Sequence, residues 1–237
     1  METDYLKLAA ENQKRAREVI AESQIEQIWQ RHGATVNLVG SLATGLLMKH
    51  RDIDFHVYTA AVPEVTVSFA AMAELAKNPR IKRVEFANLL DEEDACLEWH
   101  AFYEDRRGEL WQLDLMHIRH GSKYDGYFEK VAAQIAGMLT DERRQAILRL
   151  KFATPDDVKI AGVEYYKAVI RDGIRNYADF EKWRAKKWDA RQTIRSLTAS
   201  MYDWIKKAKR YWMRMSHKKK SMRWRRYAGL FGNCGTT

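Results

Sequence analysis

Proline is scarce in this 237-residue chain, with three in all, and there are only two cysteines and twelve glycines. So few breakers exclude a collagen-like chain and a Pro/Gly-rich disordered one. Cys96 and Cys234 lie far apart in sequence. That excludes a disulfide-stapled scaffold and a cysteine zinc site, and it fits a reducing compartment. No run approaches the roughly 18 apolar residues of a membrane-spanning helix. The first residues, Met1 to Leu6, are acidic and lack an apolar core, so no signal peptide is expected and the cytoplasm is the expected location. What is present is 46% hydrophobic residues, enough for a core in one large or two small domains.

Charge is uneven along the chain. The formal net charge is +9, but residues 182–226 hold 17 Lys and Arg against Asp189 and Asp203. That stretch is at +15, so the remainder is mildly acidic, at about −6. Five of the eight tryptophans, Trp183, Trp188, Trp204, Trp212 and Trp224, also lie there. Three readings fit. Lys and Arg on phosphates with Trp for stacking would bind nucleic acid. A basic amphipathic helix would lie on an anionic membrane surface. A packed Trp and Met stripe with a solvated basic face would serve only the fold.

The coarse pattern alternates helix and strand. A helix is expected over residues 4–31, ended by Gly33. Strands follow at 35–39 and 52–58, around a turn and short helix at 40–49. Pro63 begins a helix near 64, which Asn78-Pro79 ends. Three more strands are expected at 81–88, 96–104 and 109–118, with Arg106-Arg107-Gly108 as a tight turn joining the last two. From there the pattern is helical. One helix is expected over 125–152 and another from a Thr154 cap, with Pro155 in its first turn, to Asp172-Gly173. In the basic stretch Ile194, Leu197, Met201, Ile205, Ala208, Trp212 and Met215 recur at helical spacing. Residues from Gly229 on are expected to fray.

Residues 35–58 carry the most specific pattern. An apolar strand runs into Gly40-Ser41, and the next strand carries Asp52 and Asp54. Residues two apart on a strand share a face, so both carboxylates project together while Ile53, Phe55 and Val57 turn to the core. Two carboxylates beside a Gly-Ser turn can hold a divalent metal and a triphosphate together. Glycine lets the backbone approach a phosphate closely. The Ser41 hydroxyl, with nearby N–H groups, suits β- and γ-phosphate oxygens; an ordinary helix cap is the alternative role.

This segment resembles the nucleotidyltransferase superfamily, the group of polymerase-β-like enzymes, aminoglycoside and lincosamide nucleotidyltransferases and protein adenylyltransferases. Its signature is an apolar strand, Gly-Ser or Gly-Gly, about ten residues, then Asp-x-Asp on the next strand. Here ten residues separate Ser41 from Asp52, and Gly45 matches a small residue in the turn. The resemblance covers roughly residues 30–120. It implies a third carboxylate on a later strand, for which Asp114 is the candidate and Glu98, Asp105 and Asp125 are competitors. It also implies magnesium or manganese held by Asp52, Asp54 and Asp114, with a nucleoside triphosphate as co-substrate bound at Gly40 and Ser41. The chain departs from the family just before the pair, where Arg51 replaces the usual Ser or Asn. Arg51 at a phosphate and Arg51 at the rim are both open.

The resemblance implies an α+β fold, a mixed sheet flanked by helices followed by a C-terminal helical domain. The expected divisions are a catalytic domain over 1–120 with its N-terminal helix, a helical domain with a basic tail over 121–228, and a frayed end over 229–237. His50 and His56 share strand parity with Asp52 and Asp54, which would suit a transition metal. Imidazole is a poor magnesium ligand, and His56 is expected to shape the pocket instead. Lys159, Glu164, Tyr165, Tyr166 and Lys167 lie where relatives hold the nucleotide, but no motif assigns them that role. The expected function is metal-dependent transfer of a nucleoside monophosphate, with ATP as donor, to an acceptor hydroxyl on a small molecule, protein or RNA. The runner-up is a non-catalytic nucleotide- or RNA-binding regulator that keeps the fold.

Overall fold

The computed structural model describes residues 3–92 and 95–186. Asp4 opens the first helix, α1 (Tyr5–Ser23), by accepting from the Lys7 backbone N–H at 3.0 Å. The expected single helix over 4–31 is two. Gln24 adopts the left-handed conformation, φ 55°, and α2 (Ile25–Arg31) leaves in a new direction. On one continuous helix Ile25, Ile28 and Trp29 would sit roughly opposite Ala16, Val19 and Ser23. The break lets both apolar sets reach the same core, where Ala16, Val19, Ile25, Ile28 and Trp29 are all buried.

Five strands form one mixed sheet: β1 (Thr35–Leu38), β2 (Asp52–Thr59), β3 (Ile81–Leu89), β4 (Cys96–Glu104) and β5 (Leu110–Arg119). Their spatial order is β1-β2-β5-β4-β3, with β2 and β5 parallel and every other pair antiparallel. A short α3 (Gly40–Ala43) links β1 to β2, and α4 (Val65–Leu75) links β2 to β3. One sheet face carries Ile53, Phe55, Val57, Leu113, Leu115, Trp99 and Tyr103 and packs on α1, α2 and α4. This is the alternation expected for β2, and it leaves Asp52 and Asp54 on the opposite face. The turn at 106–108 also forms as expected, with Gly108 at φ +75° and its N–H on the Asp105 carbonyl at 3.0 Å.

The helical stretch differs from expectation at two points. The helix expected over 125–152 is α5 (Tyr127–Met138) and α6 (Asp141–Ala153). Leu139 turns extended, and Thr140 caps α6 by accepting from the Arg143 N–H at 3.2 Å, ahead of Asp141 and Glu142 in the first turn. Thr154 ends α6 instead of starting the next helix. Pro155 keeps it extended, its hydroxyl returns to the Leu150 carbonyl at 2.9 Å, and Lys49 takes its own carbonyl at 2.5 Å. The next helix, α7 (Gly162–Tyr166), starts late and runs into a π-helical turn, Lys167–Arg171, that stops before Gly173 at φ +71°.

The described residues up to Glu181 form one compact unit. The amphipathic helix expected in the basic segment, with Ile194, Leu197, Met201, Ile205 and Trp212 on its stripe, lies outside the described residues, as do 229–237. No helix among the described residues is long and apolar enough to cross a membrane.

Candidate active site

Asp52, Asp54 and Asp114 lie on one face of two neighbouring strands. Asp54 on β2 lies opposite Asp114 on β5 in the parallel register, and Asp52 lies opposite Gln112. Directly paired residues on neighbouring strands share a face, so three carboxylates gather from two strands. None of the competing acids replaces Asp114. Asp105 is tied into its turn by Arg15, the Trp111 indole N–H and two backbone N–H groups. Asp125 accepts from the Gly121 N–H in a loop. Glu98 stays on β4, with Oε1 3.6 Å from His100 Nε2.

The Gly-Ser turn is fitted to Asp54. Gly40 sits at φ +67°, and a Cβ built there would lie 1.9 Å from Asp54 Oδ2. Only a residue without a side chain lets the carboxylate pack against this backbone. The Val39 N–H donates to the Asp54 carbonyl at 2.9 Å, holding the turn over β2. Ser41 is not the cap of α3; Val39 holds that position and caps with no side chain. The Ser41 hydroxyl is buried with no hydrogen-bond partner. A buried hydroxyl left without a partner costs about 1–3 kcal/mol, a cost that a ligand accepting from it would remove.

Burial pushes Asp54 up from 3.8 to about 7, and the nearby charges of Asp52 and Asp114 add to it. The Ser41 backbone N–H and Lys151 act the other way. Lys151 is a functional candidate that the sequence reading missed. It is buried on α6, donates from Nζ to the Leu46 carbonyl at 2.8 Å, and faces Asp52 and Asp54. Burial lowers it from 10.5 to about 8, against the pull of the two carboxylates. A lysine in step with Ile147 and Leu148 on the apolar side of a helix was the available signal.

Most of these groups, though not Asp114, line a cavity of about 640 Å³. Gly40, Ser41, Asp52, Asp54 and Lys151 form its polar end, and Phe128, Val131, Ile135, Val163 and Tyr166 form an apolar wall from α5 and α7. Tyr165 and Tyr166 also line it, and Lys159 and Lys167 are not among its lining residues. A second cavity of about 570 Å³ lies beside it, lined by Lys49, Arg51, Phe102, Leu110, Gln112 and Asp156. His50 borders both. Arg51 is held at that second rim by Glu109 Oε1 at 2.5 Å. His56 lines neither cavity; its Nδ1 is 3.2 Å from the Tyr58 hydroxyl and its ring is edge-on to Phe128.

The donor set suits a hard divalent cation. Asp52 has no hydrogen-bond or ion-pair partner among the described residues, and the three acids repel one another through Asp54. Among the described residues no group of three Asp, Glu, His or Cys side chains stands placed to hold a metal ion by itself. Magnesium does not need one, since it is held by one or two carboxylates with waters and substrate phosphates completing its shell. Two carboxylates on one strand next to a Gly-Ser turn meet that requirement.

No family model matches the chain, and no curated protein matches it by sequence. Solved structures do. The chain is similar to the Cid1 poly(U) polymerase, with TM-score 0.45 and 14% identity over 70% of this chain and 53% of that one. A cytoplasmic RNA terminal U-transferase matches at TM-score 0.45 and 14% identity, over 71% and 54% of the two chains. Cid1 bound to magnesium and 3′-dATP matches at TM-score 0.48 and 16% identity, over 71% and 55%. The chain thus spans about half the length of these structures.

Proposed function

We propose that this chain is a metal-dependent nucleotidyltransferase. It moves a nucleoside monophosphate from a nucleoside triphosphate, with ATP as the expected donor, to a hydroxyl on an acceptor. One observation carries the reading: Asp52, Asp54 and Asp114 gather from two parallel strands beside the Gly40-Ser41 turn, whose buried hydroxyl has no partner. A purely structural cluster has no use for three mutually repelling acids around an unsatisfied serine.

The acceptor oxygen attacks the α-phosphorus in line, the bond to the bridging oxygen of the β-phosphate breaks, and pyrophosphate leaves. Bound divalent metal supplies Lewis-acid stabilisation of the attacking and leaving oxygens. Asp52, Asp54 and Asp114 are the residues that would hold it, with Asp114 also beside the acceptor. The Ser41 hydroxyl donates to a phosphate oxygen, which gives its orphaned proton a partner. Lys151 Nζ adds positive charge at the same end of the cavity. Phe128, Val131, Ile135 and Tyr166 offer an apolar enclosure for base and ribose and keep water away from the phosphate. The Asp114 carboxylate is the base that takes up the proton leaving the acceptor hydroxyl.

The deciding experiment incubates the protein with each α-labelled nucleoside triphosphate, magnesium or manganese, and a mixture of RNA, protein and small-molecule acceptors. Label on one acceptor class, lost in Asp52→Asn, supports transfer and names the class. Tight nucleotide binding with no transfer to any acceptor under either metal would replace the enzyme with a regulatory binding protein.

A further inference from the structure

The sheet face beside the acids carries two side chains that no part of the reaction above uses. His100 on β4 lies opposite Asp114 in the antiparallel register, and Gln112 precedes Asp114 by two residues on the same face of β5. Both meet the same oxygen. His100 Nδ1 is 2.5 Å from Asp114 Oδ1, and Gln112 Nε2 donates to that atom at 2.7 Å. Gln112 Nε2 also lies 3.4 Å from His100 Nδ1, so the three side chains sit side by side with both nitrogens turned to one oxygen. Glu98 lies 3.6 Å from His100 Nε2, too far for a hydrogen bond.

The chemistry of this triangle is directional. A carboxylate only accepts, so His100 presents Nδ1–H toward Asp114. Two donors on Oδ1 fix the rotation of the carboxyl group about its χ angles. Among the described residues no donor reaches Oδ2. The free oxygen is therefore the one left for the cluster of Asp52 and Asp54. An aspartate on an open sheet face, with its side chain about a quarter exposed, would otherwise swing among rotamers.

We infer that His100 and Gln112 are positioning residues: they lock Asp114 so that Oδ2 alone faces the divalent cation and the acceptor. This rests on the nucleotidyltransferase reading of the three carboxylates. Partners that orient a metal ligand are worth 10–100-fold in metal affinity or activity when removed. His100 itself touches neither metal nor substrate, and it acts only through Asp114.

The test measures manganese binding to the full chain by electron paramagnetic resonance of the free ion, alongside kcat and the nucleotide KM. His100→Ala should weaken manganese binding by about tenfold and lower kcat, with the nucleotide KM nearly unchanged. His100→Asn places an amide N–H close to where Nδ1–H stands, so it should recover most of both losses; a residue that only fills space would not distinguish these two variants. Gln112→Met should give a smaller loss in the same direction, and it serves as the second variant if His100→Ala melts early. Manganese affinity that drops in Asp114→Asn but stays at wild type in His100→Ala and Gln112→Met would overturn the positioning role and leave the catalytic reading standing. Unchanged manganese affinity in Asp52→Asn and Asp54→Asn would overturn the catalytic reading itself.

Discussion

Asp54 Oδ2 fills the space that a side chain on Gly40 would occupy, 1.9 Å from where its Cβ would be. Turn and carboxylate are thus one fitted unit, and the glycine serves the acid as much as the backbone. Gly40→Ala should displace Asp54 and abolish transfer. Gly33→Ala is the control, since Gly33 also has positive φ, +79°, but no atom within 4 Å of its would-be Cβ. Both variants carry the left-handed backbone cost of roughly 1–2 kcal/mol, and thermal melts should show it in each. Only Gly40→Ala should lose activity out of proportion to stability. Equal retention of turnover in the two variants would separate Gly40 from the site.

Asp52→Asn and Asp54→Asn should each remove nearly all transfer while the fold persists, because the shape barely changes. The Asp54 change has a further signature without metal. Its folded-state value of about 7 lies above the ordinary 3.8. The fold therefore holds a proton that the unfolded chain has already lost. The stability so gained is full below about pH 4 and is lost as pH rises through about 7. In chelator-treated protein the melting temperature should fall across that window relative to Asp54→Asn, and divalent cation should restore it above pH 7. Parallel melting curves for the two proteins from pH 4 to 8 would contradict the buried, repelled carboxyl.

Ser41→Ala should weaken nucleotide binding more than metal binding. A hydrogen bond to a charged oxygen is worth roughly 1.5–3 kcal/mol, or ten- to a hundredfold in affinity. The apo protein should gain a little stability, because the removed hydroxyl is buried and unpartnered. Calorimetric titration with a non-hydrolysable triphosphate checks this, and unchanged affinity would take Ser41 out of the phosphate site.

Lys151→Met should raise the nucleotide KM and change the pH profile. Lys151 titrates near 8, so in wild type kcat/KM for the nucleotide should decline above about pH 8 as the charge is lost. The variant should be weaker throughout and lack that alkaline decline. A decline that survives in Lys151→Met would assign it to another group.

Lys206, Lys207 and Lys209 lie outside the described residues, in the basic segment. If the segment holds RNA or DNA, affinity should fall steeply with salt, because phosphate contacts release counterions. Changing the three lysines to glutamine should weaken binding and flatten that salt dependence. Filter binding at two salt concentrations reads both effects. Wild-type affinity in the triple variant would remove these lysines from the contact.

Much of this was legible from residue type and spacing. Strand alternation located Ile53, Phe55 and Val57 in the core and put Asp52 and Asp54 on the other face, because period two leaves no choice of side. The meeting of Asp54 with Asp114 was not derivable this way. It depends on β5 lying parallel to β2, and the intervening β3 and β4 give no local sign of that. His100 was hidden for the same reason: its partner is named by register, not by sequence distance. The helix breaks at Gln24 and Leu139 were missed because apolar spacing tolerates a change of axis. At Leu139 the Thr140-Asp141-Glu142 run was a readable start signal, whereas Gln24 in a left-handed conformation had none.

β5 is the last strand among the described residues and the middle strand of the sheet, between β2 and β4. Until residues 110–119 are in place, β2 and β4 each show an unpaired edge, the surface on which strands of separate molecules join. The insertion that seals both edges also delivers Asp114 to Asp54. Completion of the sheet and assembly of the carboxylate cluster are one event, so a partly made or misregistered chain lacks the cluster.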